Sequence, residues 1–360
     1  MSLAVQLIEH ENDCDRGVEC ACKPRKGHSA ASIFRKSCSG LLQRISSAVK
    51  PLLTFANQVS RVHWVLTFVF IDYDNVVPFE PKIHPMYDFI HLDEKWFYIT
   101  LVDRKYYLCL DEDVPHRIVQ HKSHIQKLMF LAAVARPRFS VIPSEVFDGK
   151  IGIWGFFELT PAKGSSKNRA AGTMEVKCVN VTKARYREML ISDLLPAIRE
   201  KWPTGNQYPI KLQHDNSRAH ISHNDPRFMA ESMRDGYVFT IEPQSPNSPD
   251  TNTLDLGLFR AIQSKQHKNT ANSMEQLHDH ILSAFWNMNP YYLEKVFLSL
   301  QFCMVEILKC KGNNEYKLPH MGKDKFFKQH KKLPESLVIP FDVYQQAVDF
   351  RDDNIAALAQ

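Results

Sequence analysis

Apolar residues in the middle of the chain follow the two-residue repeat of β-strands. Phe89–Leu110 alternates and is rich in Ile, Tyr, Phe and Leu, and the later runs Lys127–Ala135 and Lys150–Phe157 are further strand candidates. Ile210–His214 and Tyr237–Ile241 have the same short, apolar character. We therefore predict strands in these five segments.

Helical periodicity alternates with these strands and dominates the end of the chain. Val181–Trp202 has the pattern of a helix, and a second helix is predicted from Leu254 to Lys268, with an apolar stripe on one side. Ser273–Cys310 is predicted to be helical throughout. Strands first, then alternating helix and strand, then a helical tail indicate a mixed α/β sheet domain.

The first 85 residues are organised differently. Residues 1–28 are irregular and polar, whereas Ser29–Gly40 and Thr54–Val69 each predict a helix. Three prolines between Asp72 and Pro85 mark the domain boundary. We divide the chain into an irregular segment, a helical region with a linker helix, a sheet domain and a basic, polar tail, with the bounds 1–28, 29–71, 86–321 and 322–360.

Several classes of protein are excluded at this point. At 360 residues the chain is long enough for about two domains. Its longest apolar runs, Val65–Ile71 and Leu128–Ala135, are far shorter than the ~20 residues of a membrane helix. The acidic residues near the start do not fit a signal peptide. We expect an intracellular protein that does not enter a membrane.

The eight cysteines are expected to be reduced thiols in such a protein. Cys14, Cys20 and Cys22 cluster ahead of His28 and Cys38, but no two of them form a CxxC pair. The pattern therefore favours incidental thiols over a zinc module.

The formal net charge of +5 is modest, but basic residues are concentrated between Cys20 and Ile71. This stretch holds eight Lys and Arg residues and no Asp or Glu. It would attract a polyanion through counterion release, and nucleic acid is the usual one, with a solvated basic arm as the alternative. The residues that we expect to contact DNA are Arg35, Lys36, Arg44 and Lys50.

Three aspartates stand at positions where a carboxylate can project from the predicted fold. Asp93 in FIHLDEKWFY shares a strand face with His91, opposite Ile90 and Leu92. Asp215 ends the strand IKLQHD, and Asp255 lies near the start of the predicted helix in TLDLGLFRAIQ. Each has a structural alternative. Asp93 could end a strand at a turn, Asp215 could form an Asx turn, and Asp255 could be a first-turn acid that the helix dipole stabilises.

Phosphodiester chemistry explains why three such acids would be brought together. The attacking oxygen must be activated and the leaving oxygen stabilised, and two divalent cations do both. Hard cations such as Mg²⁺ take oxygen ligands. Three clustered carboxylates without a metal would repel one another, and metal binding removes that conflict.

Several long motifs carry a resemblance to a known family. The sequence from about Ser32 to Met321 resembles the plant-type mariner-like transposases of the DDE/DDD superfamily, in the stretches MYDFIHLDEKWFYIT, KLMFLAAVARPRF, FDGKIGIW, LQHDNSRAHI and PNSPDTNTLDLGLFRAIQSKQ.

The resemblance implies a site and a reaction. Asp93, Asp215 and Asp255 would be the catalytic, metal-binding triad, and the 39 residues between the second and third match the plant-type class. The implied fold is RNase H-like. The implied reaction is cleavage at the inverted repeats of a transposon and strand transfer to a TA target, with two Mg²⁺ or Mn²⁺ ions. Double-stranded DNA would be the partner and the nucleus the location, with a homodimer as one option for assembly.

The chain departs from the family at a few places. Thr251 stands where the family has Leu, and Gly155 where it has Pro. Only the end of the family's paired helix-turn-helix region has a counterpart, in SAASIFRKSCSGLLQRISSAVKPLL. Two rival functions follow: a transposase-derived DNA-binding protein that no longer cuts, and an RNase H-type nuclease.

Two histidines flank the second aspartate. For His214 and His220 a structural or surface role is favoured over contact with a metal-bound water or with DNA. The basic run Lys323–Lys332 has three possible roles: it contacts DNA, it serves in nuclear import, or it is simply solvated.

Overall fold

The computed structural model describes nine stretches of the chain: 50–72, 80–100, 125–139, 146–165, 170–203, 209–269, 271–318, 322–330 and 332–355. The chain divides into two compact units, Met1–Lys50 with Asp103–Ile118 and Pro51–Val102 with Val119–Gln360. Only Lys50 of the first unit is described, so the architecture below is that of the second.

Several predictions lie outside the described residues. They are the irregular segment 1–28 with its cysteine cluster, the helix at Ser29–Gly40, and the DNA contacts Arg35, Lys36 and Arg44. Lys50 is described and is exposed.

Nine strands and nine α-helices make up the described part of the second unit. The strands are β1 (Val69–Asp72), β2 (Glu80–Ile83), β3 (Phe89–Tyr98), β4 (Lys127–Ala135), β5 (Lys150–Gly155), β6 (Phe157–Pro161), β7 (Met174–Cys178), β8 (Ile210–His214) and β9 (Phe239–Pro243). The helices are α1 (Phe55–Leu66), α2 (Lys183–Met189), α3 (Leu195–Lys201), α4 (Pro226–Ser232), α5 (Phe259–Gln266), α6 (Met274–Trp286), α7 (Pro290–Lys309), α8 (Lys323–His330) and α9 (Phe341–Asp353).

A five-stranded mixed sheet forms the centre of the fold. Its order is β5-β4-β3-β8-β9, in which β4 is antiparallel to both β5 and β3, and β8 is parallel to both β3 and β9. The predicted RNase H-like mixed α/β sheet is confirmed. The predicted strand at Tyr237–Ile241 forms two residues later, and Phe89–Leu110 is a strand only as far as Tyr98 within the described residues.

The two faces of the sheet are buried in separate cores, because side chains alternate along each strand. In β3, Ile90 and Leu92 enter one core, while Phe89 and Phe97 enter the other. Asp93 is four residues from both Phe89 and Phe97, so it lies on the same face of the strand as they do. The predicted separation of Ile90 and Leu92 from Asp93 is therefore confirmed.

Helices α2, α3 and α4 cover the face of Ile90 and Leu92. The predicted helix Val181–Trp202 consists of α2 and α3, joined by a π-helical turn at Leu190–Leu194. Pro196 follows this turn and has no N–H, which interrupts the α-helical hydrogen bonds there. The buried side chains of this helix recur every four residues along one face, at Tyr186, Leu190, Leu194 and Ile198.

The other face packs against α5, α6 and α7, with α1 and α9 alongside α7. Side chains that cap free backbone N–H groups start several of these helices. Thr54 caps α1, Ser273 caps α6, and Asn289 caps α7, where Pro290 occupies the first turn. The predicted helical region Ser273–Cys310 is thus two helices, separated between Trp286 and Pro290.

A small antiparallel sheet, β1 with β2, lies between α1 and β3 in the chain. The predicted helix Thr54–Val69 ends earlier, at Leu66, and the proline-rich segment before Pro85 contributes strand β2. Pro81 fits this strand because its missing N–H is at an edge. Its carbonyl accepts the N–H of Ile339, so the chain before α9 joins the sheet.

Of the helices in the described stretches, none combines the length and the apolar character that crossing a lipid bilayer requires.

Candidate active site

The three predicted aspartates line one cavity of about 510 Å³. Asp93 lies in the middle of β3, just beyond His91, where β3 stops pairing with β8. Asp215 directly follows β8, and Asp255 is the second residue of a π-helical turn, Leu254–Leu258, that leads into α5. Residues that are far apart in the chain therefore meet beside the central strand.

The loop before Asp255 is tied to the sheet by side-chain amides. Asn252 donates to the carbonyl of Leu92 at 3.1 Å, and its own side-chain oxygen accepts the N–H of Leu254 at 3.0 Å. Gln213 in β8 donates to the carbonyl of Thr251 at 3.0 Å. These bonds hold the π-helical turn against β3, and such turns are frequent at functional sites.

Asp93 and Asp255 form a pair of neighbouring acids, of which Asp93 is half-buried and Asp255 is more exposed. Burial, together with the charges of Asp255 and Glu94, raises the pKa of Asp93 to about 9. Burial also raises the pKa of Asp255, although Lys95 opposes this. The two side chains are hydrogen-bonded to each other. Two carboxyls in this relation cannot both ionise without a compensating cation.

Asp215 has different surroundings. Its Oδ1 accepts the backbone N–H of Ser217 at 2.9 Å and lies 2.8 Å from Nδ1 of His220. The hydrogen bond from His220 lowers the pKa of Asp215, against the effect of burial. Its side chain is 52% exposed, so this carboxylate is ionised and open to the cavity.

The carboxylates are the kind of ligand that Mg²⁺ and Mn²⁺ take. As the side chains stand, the described residues contain no group of three His, Cys, Asp or Glu that could hold a metal ion. Asp93 and Asp255 are hydrogen-bonded to each other, whereas Asp215 is hydrogen-bonded to His220 and Ser217. The three carboxylates therefore fit a hard cation by their oxygen chemistry, whereas their present arrangement does not gather them around one point.

Behind Asp215 lies a stack of aromatic rings. His220 stacks with Tyr186 and with His214 at ring-centroid distances of 4.2 Å and 4.8 Å, and these two rings are 5.8 Å from each other. Burial lowers the pKa of His220, but hydrogen bonds to Asp215 and Glu94 outweigh this and raise it to about 10. Burial lowers the pKa of His214 to about 4. Both histidines are buried, and His220 contacts a predicted site residue.

The structural role that the sequence favours for His220 agrees with its burial, but a single histidine five residues after Asp215 gives no signal that it contacts this aspartate. Glu94 directly follows Asp93 and has no sequence signal of its own. Only the fold brings these two side chains together, at 3.0 Å between Nε2 and Oε2.

Asp250, five residues before Asp255, is not part of the pocket of acids. Its carboxylate accepts two hydrogen bonds from the fully buried guanidinium of Arg61, at 2.8 Å and 2.7 Å, and one from the hydroxyl of Tyr316. Burial raises the pKa of Asp250, but Arg61 and Tyr316 outweigh this and lower it. Asp250 therefore ties α1 to the loop.

No protein-family model matches the sequence, and no curated protein is significantly similar to it. Solved structures do share the fold. The pre-cleavage Mos1 transpososome matches with a TM-score of 0.53 and 14% identity, over 88% of this chain and 80% of that one. The Mos1 mariner paired-end complex with Mn gives 0.52 and 15%, over 87% and 79%. The Mos1 transposase paired-end complex with the left transposon end gives 0.51 and 15%, over 87% and 79%.

Proposed function

We propose that this chain is a mariner-like transposase of the plant-type class. It cuts double-stranded DNA at transposon inverted repeats and transfers the ends by metal-dependent phosphoryl transfer. The observation that carries the proposal is the meeting of Asp93, Asp215 and Asp255 in one cavity of an RNase H-like fold. The shared fold with Mos1 complexes, which hold transposon-end DNA and in one case Mn, supports it.

Mg²⁺ or Mn²⁺, in our proposal two ions, would be held by the oxygens of these three carboxylates. The acid pair Asp93 and Asp255 supports this, because two neighbouring carboxylates need an opposite charge to be ionised together. Bound cations activate the attacking oxygen of phosphoryl transfer and stabilise the leaving oxygen. Asp215, anchored by His220, provides the ionised carboxylate. The loop from Gln244 to Pro249 forms one wall of the cavity.

The proposal is tested by nicking of supercoiled plasmid DNA in Mg²⁺, Mn²⁺ or EDTA. The wild-type protein should nick only with a divalent cation. Asp93→Asn, Asp215→Asn and Asp255→Asn should each reduce the rate by more than about 100-fold, above the 10–100-fold typical of an outer-shell partner. Each variant should still bind DNA, because phosphate contacts come from elsewhere.

Asp279→Asn is the matched control, since Asp279 is an acid on α6 with a side chain that is 75% exposed. It should nick at the wild-type rate. DNA binding without any nicking by the wild-type protein would favour the transposase-derived DNA-binding protein. Cleavage of RNA or of an RNA–DNA hybrid in preference to duplex DNA would favour the RNase H-type nuclease.

DNA binding is assigned to the acid-free basic segment between Cys20 and Ile71. Exchange of Arg35 and Lys36 together for Ala should flatten the log–log dependence of affinity on salt by up to about two units. An unchanged slope would assign the phosphate contacts to other residues, with Lys323–Lys332 as the next candidate. A nuclear location and a homodimer remain parts of the proposal, tested by fractionation and by sedimentation.

A further inference from the structure

A chain of hydrogen bonds leads from Glu94 through His220 to Asp215. Nε2 of His220 lies 3.0 Å from Oε2 of Glu94, and Nδ1 lies 2.8 Å from Oδ1 of Asp215. The side chains of Glu94 and His220 are 9% and 4% exposed, whereas that of Asp215 is 52% exposed. A buried acid and a buried imidazole therefore stand behind an accessible carboxylate.

The imidazole of His220 packs against two other rings, which also contact each other. Tyr186 stacks on it with an interplanar angle of 21°, and His214 does so at 9°. The hydroxyl of Tyr186 lies 3.0 Å from Nδ1 of His214 and donates to it if that nitrogen is the acceptor, which links the two flanking rings. The stack keeps the plane of His220 fixed, so its two N–H groups have fixed directions.

The anchored carboxylate still has one oxygen available. Both of its hydrogen bonds, from His220 and from Ser217, go to Oδ1. Within the described residues, no N–H group donates to Oδ2 of Asp215. A half-exposed aspartate would otherwise sample several rotamers, and fixing it in advance removes an entropy cost from ligand binding.

A simpler role for His220 is to hold the turn after β8. Its Nδ1 also lies 2.9 Å from the backbone oxygen of Asp215, and the backbone N–H of His220 donates to the carbonyl of Ser217 at 3.0 Å. A turn of this kind needs only one ring nitrogen. The turn alone does not explain why Glu94, a further acid beside Asp93, is buried against the other nitrogen, because an added buried negative charge is costly.

We propose that His220, oriented by Glu94, is a positioning residue that fixes the Asp215 carboxylate for cation binding. This inference rests on the proposed function. Carboxylates that bind metals are commonly oriented by hydrogen-bonded partners, and loss of such a partner typically weakens metal affinity by 10–100-fold. The roles are distinct: Asp215 touches the cation, and His220 and Glu94 act through Asp215.

The two amide substitutions of His220 separate its two nitrogens. His220→Asn has its amide near the position of Nδ1 and can still donate to Asp215. His220→Gln reaches the position of Nε2 and can contact Glu94 but not Asp215. Glu94→Gln tests the same connection from the far end and keeps the shape of the side chain. His223→Ala is the control, as an exposed histidine of the same loop.

The measurement is Mn²⁺ binding to the DNA-free protein by calorimetry, with thermal unfolding and plasmid nicking alongside. His220→Gln should weaken Mn²⁺ binding by about 10–100-fold. His220→Asn and Glu94→Gln should weaken it by less than about tenfold, the lower end of that range. Nicking by His220→Gln should recover at saturating Mn²⁺, because the ligands are intact. His223→Ala should match the wild-type protein.

Mn²⁺ affinity unchanged in His220→Gln would overturn the inference while leaving the proposed function in place. Equal losses in His220→Asn and His220→Gln, at equal thermal stability, would also overturn it, because the bond to Asp215 would then not matter. A wild-type protein that neither binds Mn²⁺ nor nicks DNA would overturn the proposed function itself.

Discussion

Two acids in one loop, Asp250 and Asp255, have opposite surroundings. Asp250 is neutralised by Arg61 and lies beside Tyr316, so its charge is balanced within the protein. Asp255 is hydrogen-bonded to another acid, Asp93, and the nearby Lys95 lowers the pKa of Asp255 without cancelling its rise. An acid with a raised pKa beside another acid is a better candidate for a functional site than one that is neutralised by an arginine.

The same comparison explains why Asp250 cannot serve as a neutral control for Asp255. Its removal would leave the guanidinium of Arg61 buried without its carboxylate partner. Loss of activity in an Asp250 variant would then report on folding and on the position of α1. An exposed acid is needed for that purpose.

The largest expected effect comes from breaking the balanced pair. Arg61→Ala or Asp250→Ala should lower the free energy of unfolding by about 3–5 kcal/mol, because each leaves an uncompensated buried charge. Chemical denaturation with fluorescence detection measures this. Arg185→Ala is the control, since its pair with Glu158 is exposed and should contribute less than about 1 kcal/mol. A loss below that value for Arg61→Ala would contradict the structural role.

A smaller effect is expected when a cation is supplied to the unbalanced pair. Mn²⁺ at about 100 times its dissociation constant should raise the free energy of unfolding by about 2.7 kcal/mol, by mass action. Thermal unfolding in Mn²⁺ and after addition of EDTA measures it. Asp255→Asn should lose this stabilisation, whereas Asp279→Asn should keep it. Equal stabilisation of both variants would place the cation elsewhere.

The smallest effect should come from removing one charge of the pair without metal. Asp93→Asn in EDTA should raise the free energy of unfolding by about 0.5–2 kcal/mol, the range of typical stabilising substitutions. Burial raises the pKa of Asp93 to about 9, from its ordinary 3.8. The carboxyl then binds its proton more tightly in the folded state, and its ionisation destabilises the fold as the pH rises from 3.8 towards 9.

The pH profile checks the sign of that effect. The stability difference between Asp93→Asn and the wild-type protein should be near zero at pH 4 and should grow as the pH approaches 9. A difference that shrinks with rising pH would mean that Asp93 is paired with a cation in the metal-free protein.

The sequence by itself determined the elements and the three aspartates. Alternation and helical periodicity are local, so they predicted β3, β4, β5 and β8 and the helices around them. Alternation also placed Asp93 opposite Ile90 and Leu92. The motifs around Asp93, Asp215 and Asp255 then singled out three acids that the structure brings to one cavity.

Only the tertiary structure decided which buried charges are balanced. Arg61 and Asp250 are 189 residues apart, and Glu94 and His220 are 126 apart. No local period connects residues at such distances, and a single arginine or histidine has the same local pattern whether it is exposed or paired. The surroundings of a charge are set by long-range packing, and they distinguish Asp250, which is paired with Arg61, from Asp255, which lies beside another acid.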